Sequence, residues 1–283
     1  MRNLKRALSL ALASVMLLGM MVTGAGAASS SSFTDYDSIV NQEAVEVTSG
    51  LGIFDGYTDG SFGPENVVTR AEMAVIICKI LNGSDVDPGN FTGISHFTDV
   101  PSWAEGYVNY CASMNIVVGV GDGKFNPNGT VTTVEATTML LKALGYFVDE
   151  NDQLGADWKT TVTGRATYLT LYGALTLNAN EGLTRDNVAE LVFHTILSQR
   201  VAYDDNRNLY VKNTNRQEVV TNGTEDWDNT LAEDTFGMWI VDGVVTANSC
   251  TEDSLSEAVN NAPRTDVLFD EAAQQDYPAR SYQ

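Results

Sequence analysis

Cysteine is scarce in this 283-residue chain, which holds only Cys78, Cys111 and Cys250. A small fold stapled by disulfides carries more, and in even number. Cys78 and Cys111 fall in apolar helical stretches, where a free thiol behaves as a small hydrophobe, so both are read as buried thiols. Histidine is rarer, with only His96 and His194, and no Cys/His metal spacing occurs. His194 lies in a helical stretch with no evident nucleophile or acid partner and reads as a surface or packing residue. Basic residues are few: 16 Lys and Arg stand against 37 Asp and Glu. That imbalance repels nucleic acid and excludes it as a partner. No Gly-x-Ser-x-Gly elbow or zinc motif appears. Gly119-Val-Gly121 lacks a third spaced glycine and is no dinucleotide turn. Asp55 to Gly60 fails as an EF-hand start, since Tyr57 holds position three and Asn66 position twelve. We expect no catalytic residue, no metal and no cofactor.

Long apolar runs are also lacking, with one exception, from Ala7 to about Val22. It follows the basic stretch Met1 to Arg6 and precedes the small residues Gly24 to Ala28. A basic start, an apolar middle and an Ala-x-Ala-like end describe a secretory signal, here cleaved near Ala27. The alternative is an uncleaved anchor, because the run approaches spanning length. The small residues and the linker Ser29 to Ser32 favour cleavage, so residues 1–27 are read as signal and 28–32 as linker. The first 28 residues hold three basic residues and no acid, so the rest balances 13 basic against 37 acidic, or −24. The expected product is secreted.

What the chain does have is an internal repeat. Gly56, Asp59, Gly60, Phe62, Pro64, Thr69 and Glu72 recur 63 positions later as Gly119, Asp122, Gly123, Phe125, Pro127, Thr132 and Glu135. Each unit reads as helix, glycine-rich turn, helix. In the second unit, Trp103, Tyr107, Tyr110, Cys111 and Met114 mark a helical face between Trp103 and Asn115. The glycines permit positive φ, Phe125 is placed to plug inward, and Pro127 stops helix there. Three carboxy-proximal helices are expected near 69–81, 132–144 and 184–197. Met73, Ile76, Ile77, Ile80, Met139, Leu140, Leu191 and Val192 are the expected core. The third unit is eroded: Leu183-Thr-Arg-Asp-Asn187 follows a turn that has lost its glycines, after a helix expected from about Thr160 to Tyr172.

Thr69 with Glu72 and Thr132 with Glu135 form the Thr-x-x-Glu capping box, in which hydroxyl and carboxylate satisfy first-turn amides reciprocally. Thr184 keeps the cap, but Asn187 replaces the acid. The box leaves Arg70 unexplained, because the helix dipole prefers acids in the first turn. Arg70 is either one half of an ion pair or a planar fork for an anionic ligand.

These motifs resemble the S-layer homology family. The resemblance rests on Phe33-Thr-Asp35, Phe97-Thr-Asp99, Trp103-Ala104, both glycine turns and Thr69-Arg-Ala-Glu72, and covers roughly residues 33 to 200. It implies three repeats, at 33–93, 94–147 and a degenerate 148–200. The implied fold is mainly α: three helix-turn-helix repeats closing as a pseudo-threefold spindle around a central three-helix bundle. The implied function is anchoring to the cell envelope by binding secondary cell-wall polysaccharide, often pyruvylated, in grooves between repeats. Arg70 and Arg185 would then meet a ketal carboxylate, with Asp35 and Asp99 as the lead-in acids. Trp103 and Trp158 would face sugar rings, and Gly56 and Gly119 would allow close backbone approach. Thr133 stands where an arginine is expected, which weakens one groove.

Beyond Val201 the composition shifts to Asp, Asn and Thr. Leu209 to Val211 is expected to pair with Glu218 to Thr221. Met238 to Val241 is expected to pair with Val244 to Thr246 through the turn Asp242-Gly243. Residues 201–250 are read as a small β-hairpin-rich appendage and 251–283 as a flexible tail. The expected product is a non-catalytic wall or S-layer protein whose partner is secondary cell-wall polysaccharide or another peptidoglycan-linked polymer. Alternatives are a self-assembling structural S-layer protein that contacts other subunits, or the anchor portion of a longer exoenzyme.

Overall fold

Threonine in extended backbone starts each of the three long carboxy-proximal helices. The computed structural model describes residues 33–92, 97–149, 153–213 and 230–238, and the backbone of 244–247, 265–270 and 275–281. The signal and linker segments, His96, Cys250, Glu218 to Thr221 and the Asp242-Gly243 turn lie outside the described residues. Two units are distinguished, residues 1–237 and 238–283.

In the first unit the order is α1 (Gln42–Gly50), α2 (Arg70–Asn82), α3 (Ser102–Ser113), α4 (Thr133–Ala143), α5 (Trp158–Tyr168) and α6 (Arg185–Ile196). A hairpin of β1 (Val201–Asp204) and β2 (Leu209–Lys212) and a short helix, α7 (Leu231–Phe236), follow. The fold is mainly helical. α2, α4 and α6 start at Arg70, Thr133 and Arg185, one residue after caps Thr69, Thr132 and Thr184. Every expected core residue is buried, with Met73, Ile77, Ile80, Leu140, Leu191 and Val192 fully inaccessible. Phe62 and Phe125 are buried completely, as inward plugs must be.

The residues just before the caps join the three segments. Val68 N–H donates to Leu183 O (2.9 Å), Leu183 N–H to Val131 O (3.2 Å) and Val131 N–H to Val68 O (3.0 Å). This cycle of backbone bonds ties the third segment back to the first. Helix packing follows the same order: α3 lies on α2, α5 on α4, and α1 on α6. Each amino-proximal helix thus covers the long helix of the preceding segment, and the first covers that of the third. Asn41 fixes the last contact, its amide donating to Asp186 Oδ1 (3.1 Å) and its Nδ2 to Oδ2 (3.0 Å).

The structure corrects several expectations. The buried face of α3 is Ala104, Val108 and Cys111 with Gly106 and Asn109, whereas Met114 is exposed. The helix is rotated so that Gly106 meets Pro88, whose carbonyl lies 2.1 Å from where a Cβ would stand. Small residues set that face, not the aromatic stripe. α5 begins at Trp158 and ends at Tyr168, because Thr170 takes a positive φ of 56°. β2 pairs with β1 through the pairs Val201–Lys212 and Asp204–Leu209, a partner the sequence reading did not name. The hairpin is held by Val201 N–H to Leu144 O (2.8 Å) and by packing of Tyr210 on Tyr146. α7, capped by Thr230, was not expected. Cys78 and Cys111 are free and buried. Burial pushes the Cys78 thiol up to about 12 and Cys111 well above its ordinary value.

In the second unit the backbone forms an antiparallel sheet in the order β3 (Val244–Ala247), β4 (Thr265–Asp270), β5 (Gln275–Ser281). Val244–Ala247 pairs with Val267–Phe269; the expected partner strand up to Val241 lies outside the described residues from residue 239 on. The expected flexible tail from Thr251 contributes two of these strands, so strand pairing reaches beyond the expected appendage.

The caps lead to a stability prediction. The Thr69 amide donates to Glu72 Oε2 (2.7 Å), the Thr69 hydroxyl donates to the same oxygen (2.8 Å), and Glu72 N–H donates to Thr69 Oγ1 (3.3 Å). Glu135 receives the Thr132 amide and hydroxyl at 2.9 and 2.7 Å. Thr184 has only the Asn187 amide, at 3.3 Å. Thr69→Ala is expected to lower the unfolding free energy by about 1 kcal/mol in denaturant melts, and Thr184→Ala by less. Equal losses would show that the reciprocal carboxylate adds nothing.

Candidate functional site

Each tetrad arginine reaches across to the turn of another repeat. Arg70 donates from Nε to Phe125 O (3.0 Å) and from Nη2 to Val118 O (2.9 Å). Arg185 does the same one position round the ring, with Phe62 O (2.9 Å) and Asp55 O (2.8 Å). The acceptor pairs are equivalent positions of the two repeats. Each guanidinium also stacks on the plug ring, Arg70 at 4.6 Å from Phe125 and Arg185 at 4.8 Å from Phe62. Arg70 Nη1 sits 3.7 Å from Glu135 Oε1. The ion-pair reading of Arg70 thus has a partner in Glu135, while the planar fork holds two backbone carbonyls; the side chain is not directed at solvent as its first-turn position implied, being 11% exposed. Burial pulls both guanidinium pKa values down, opposed by Glu135 and Asp99 at Arg70, and by Tyr57, Glu72, Asp55 and Asp35 at Arg185. Arginine stays charged through such shifts.

The lead-in acids shape the turns from below. Asp35 receives the Phe62 and Gly63 amides at 2.8 Å each, and Asp99 receives those of Phe125 and Asn126 at 2.7 and 2.9 Å. The Phe125 amide holds the Asp99 carboxyl below the usual carboxylate range. Both acids are thus turn organisers. Gly56 and Gly119 do permit a close approach, but by the lead-in rings: a Cβ would stand 2.7 Å from Phe33 and 2.6 Å from Phe97. Among the matched glycines of the two turns, Gly60 and Gly123 take positive φ, at 81° and 65°.

Above the Arg185 seat lies a groove of about 360 Å³, at the lower end of small-molecule sites, about 300–1,000 Å³. The first turn, α2 and the start of α3 enclose it, and Arg185, Trp103, Gly56, Tyr57, Glu72 and Lys79 are among its lining residues. Three expected site residues, Arg185, Trp103 and Gly56, are thereby brought together with the capping Glu72. Lys79 was missed. Its Nζ donates to Gly52 O (2.9 Å) and pairs with Asp55 Oδ2 (2.8 Å). The signal was available, since Lys142 repeats it 63 positions on and donates to Asn115 O (2.7 Å).

The third junction is plainer. Thr133, in place of an arginine, donates its hydroxyl to Glu181 O (3.2 Å) in the eroded third turn. The missing arginine and the missing glycines belong to the same junction, so the two departures in sequence are one loss in space. Trp158 is half-buried at the start of α5, with Lys159 Nζ 5.7 Å from its ring, and does not line the Arg185 groove. His194 pairs with Glu190 at 3.1 Å, one helical turn before it, an acid partner the sequence reading overlooked. Among the described residues no cluster of three or more metal-ligating side chains occurs.

Two segments, residues 32–74 and 96–132, match the S-layer homology domain family model. The chain is similar to a cell surface protein of Thermoanaerobacter kivui, 28% identical over 254 residues, which is 87% of this chain and 32% of that protein. It is also similar to a surface layer protein of Brevibacillus choshinensis, 37% identical over 37% of this chain and 10% of that protein. A cellulosome-anchoring protein of Acetivibrio thermocellus is 37% identical over 31% of this chain and 20% of its own length. The chain spans about a third or less of each of these relatives.

Proposed function

We propose that this chain is a non-catalytic anchoring module, exported to the cell envelope, that binds secondary cell-wall polysaccharide between its repeats. We further infer that its three segments close as a pseudo-threefold spindle around α2, α4 and α6, a reading supported by the cyclic bonds of Val68, Val131 and Leu183. Such closure places a turn of one repeat beside the arginine of another, so a groove exists only in the assembled ring.

The observation that carries the function is the Arg185 groove. It sets an arginine cation at its floor and a half-exposed Trp103 in its wall, the pairing of charge and apolar face suited to an anionic sugar. Long-range electrostatics oppose an anionic ligand, because the chain itself is strongly acidic. Recognition must therefore come from fixed local cations and from burial of sugar faces. A pyruvylated polymer, with a carboxylate held on a sugar ring, meets both conditions.

Co-sedimentation with purified, protein-free wall fragments tests the reading. The chain is expected to pellet with intact fragments and to remain in solution with fragments stripped of the secondary polymer. A chain that ignores both and assembles by itself is a lattice former, not an anchor.

A further inference from the structure

Cys78 and Cys111 take no part in the wall-binding reading, yet they meet at one point of the α2–α3 interface. Cys111 Sγ donates to Ala74 O at 3.5 Å. Ala74 stands one helical turn before Cys78 in α2, so its carbonyl also receives the Cys78 amide. The two residues thus converge on a single carbonyl, one from each helix. Both are fully inaccessible. Burial pushes the Cys111 thiol well up, and the nearby Cys78 sulfur pushes it further. Helices whose axes lie about 8–10 Å apart bring facing Cα atoms into the span of about 4.4–6.8 Å that a disulfide bridges.

The repeat shows that packing does not call for sulfur at these positions. Leu141 stands 63 positions after Cys78. The Cys111 carbonyl accepts the Ile116 amide at the end of α3 (2.8 Å), as the Ala166 carbonyl accepts that of Leu171 at the end of α5 (3.0 Å). The α4–α5 interface therefore sets a buried leucine and a buried alanine where α2–α3 sets two cysteines.

We propose that Cys78 and Cys111, free in this structure, are a disulfide site that closes as a staple between α2 and α3 when the chain folds outside the cell. This rests on the export part of the reading above, since export brings the chain to an oxidising environment. The oxidant is a small-molecule disulfide such as oxidised glutathione, or an exported disulfide oxidoreductase. One cysteine thiolate attacks the oxidant's disulfide and releases one thiol, and the second cysteine displaces the other. The oxidant's S–S bond breaks, the Cys78–Cys111 bond forms, and the two thiol protons pass to the two released thiols. Only a thiolate attacks, and burial holds both folded thiols protonated. Closure therefore belongs to the folding chain, before α3 seats on α2, and the finished bond is sealed from reductants. The same two helices enclose the Arg185 groove, with Glu72 and Lys79 on α2 and Trp103 and Tyr107 on α3. The staple fixes those two walls against each other.

The full exported chain is unfolded with reductant, refolded in a mixture of reduced and oxidised glutathione, and alkylated in denaturant. Peptide mass spectrometry is expected to find Cys78 linked to Cys111 in most chains, and the same link in chain taken from the cell envelope and alkylated at once. The oxidised chain is expected to melt about 5–10 °C above chain refolded with reductant. Cys78→Leu combined with Cys111→Ala installs the residues of the second interface. That variant is expected to fold and to melt alike with and without reductant. A chain that refolds with both thiols open to alkylation overturns the site, as does a link from either residue to Cys250. A link that forms in glutathione but is missing from envelope-derived chain overturns the staple. A variant whose melting still depends on reductant overturns it too, because Cys250 would then carry the redox effect. No readout involves the wall polymer, so the anchoring reading stands or falls separately.

Discussion

Phe62→Ala is expected to lower the unfolding free energy by about 3–5 kcal/mol, the usual range for truncating a buried phenylalanine. The ring is fully inaccessible and touches Phe33 at 5.4 Å and Phe54 at 5.9 Å between centroids. Its backbone oxygen receives Arg185 Nε, and its ring carries the guanidinium at 4.8 Å. Truncation thus opens a cavity under the first turn and removes the surface on which a buried cation rests. The second effect ties the ring to the closure of the third segment on the first. Phe62→Ala and Arg185→Ala should accordingly be non-additive, because each removes the other's partner. Denaturant melts of the two single variants and the double variant measure this coupling. A loss below about 1.5 kcal/mol for Phe62→Ala would mean that the turn relaxes into the space and that the plug is replaceable.

Arg70→Ala is expected to weaken binding to pyruvylated wall polymer by about 2 kcal/mol or more, the scale of truncating one partner of a charged contact at an interface. Sequence reasoning alone would expect folding to be spared, since an arginine in a first turn opposes the dipole. The bonds to Phe125 O and Val118 O and the stacking on Phe125 predict a loss of stability as well. Binding is therefore compared at a temperature where the variant is fully folded. Arg70→Lys should recover only part of the affinity, because a point charge cannot hold both turn carbonyls and still face a carboxylate. On polymer stripped of its ketals, wild type and Arg70→Ala should bind alike. A difference that survives the stripping would assign Arg70 to the architecture alone.

Much of the fold was legible because its determinants are local. A threonine cap and its glutamate lie three residues apart, and the positive φ of Gly60 and Gly123 is a property of those residues themselves. The inward plugs Phe62 and Phe125 follow from position within a repeat. Less legible was α3, where a stripe of aromatics outweighed the small residues Ala104 and Gly106 that in fact set its packed face. The pairing of Val244–Ala247 with Val267–Phe269 was not legible either, because a turn dipeptide speaks only for a neighbouring partner and this one lies far along the chain.

The site divides along the same line. The sequence by itself determined that Arg70 and Arg185 are a repeated feature, that Thr133 breaks the series, and that Thr69, Thr132 and Thr184 start helices. Only the tertiary structure decided what the arginines hold, because their acceptors lie 48 and 55 residues away for Arg70 and 130 and 123 away for Arg185. It likewise joined Thr133 to the eroded third turn and paired Asp55 with Lys79. A capping bond needs only a few residues to exist. A groove between repeats needs the ring to close, and no single segment contains the surfaces that form it.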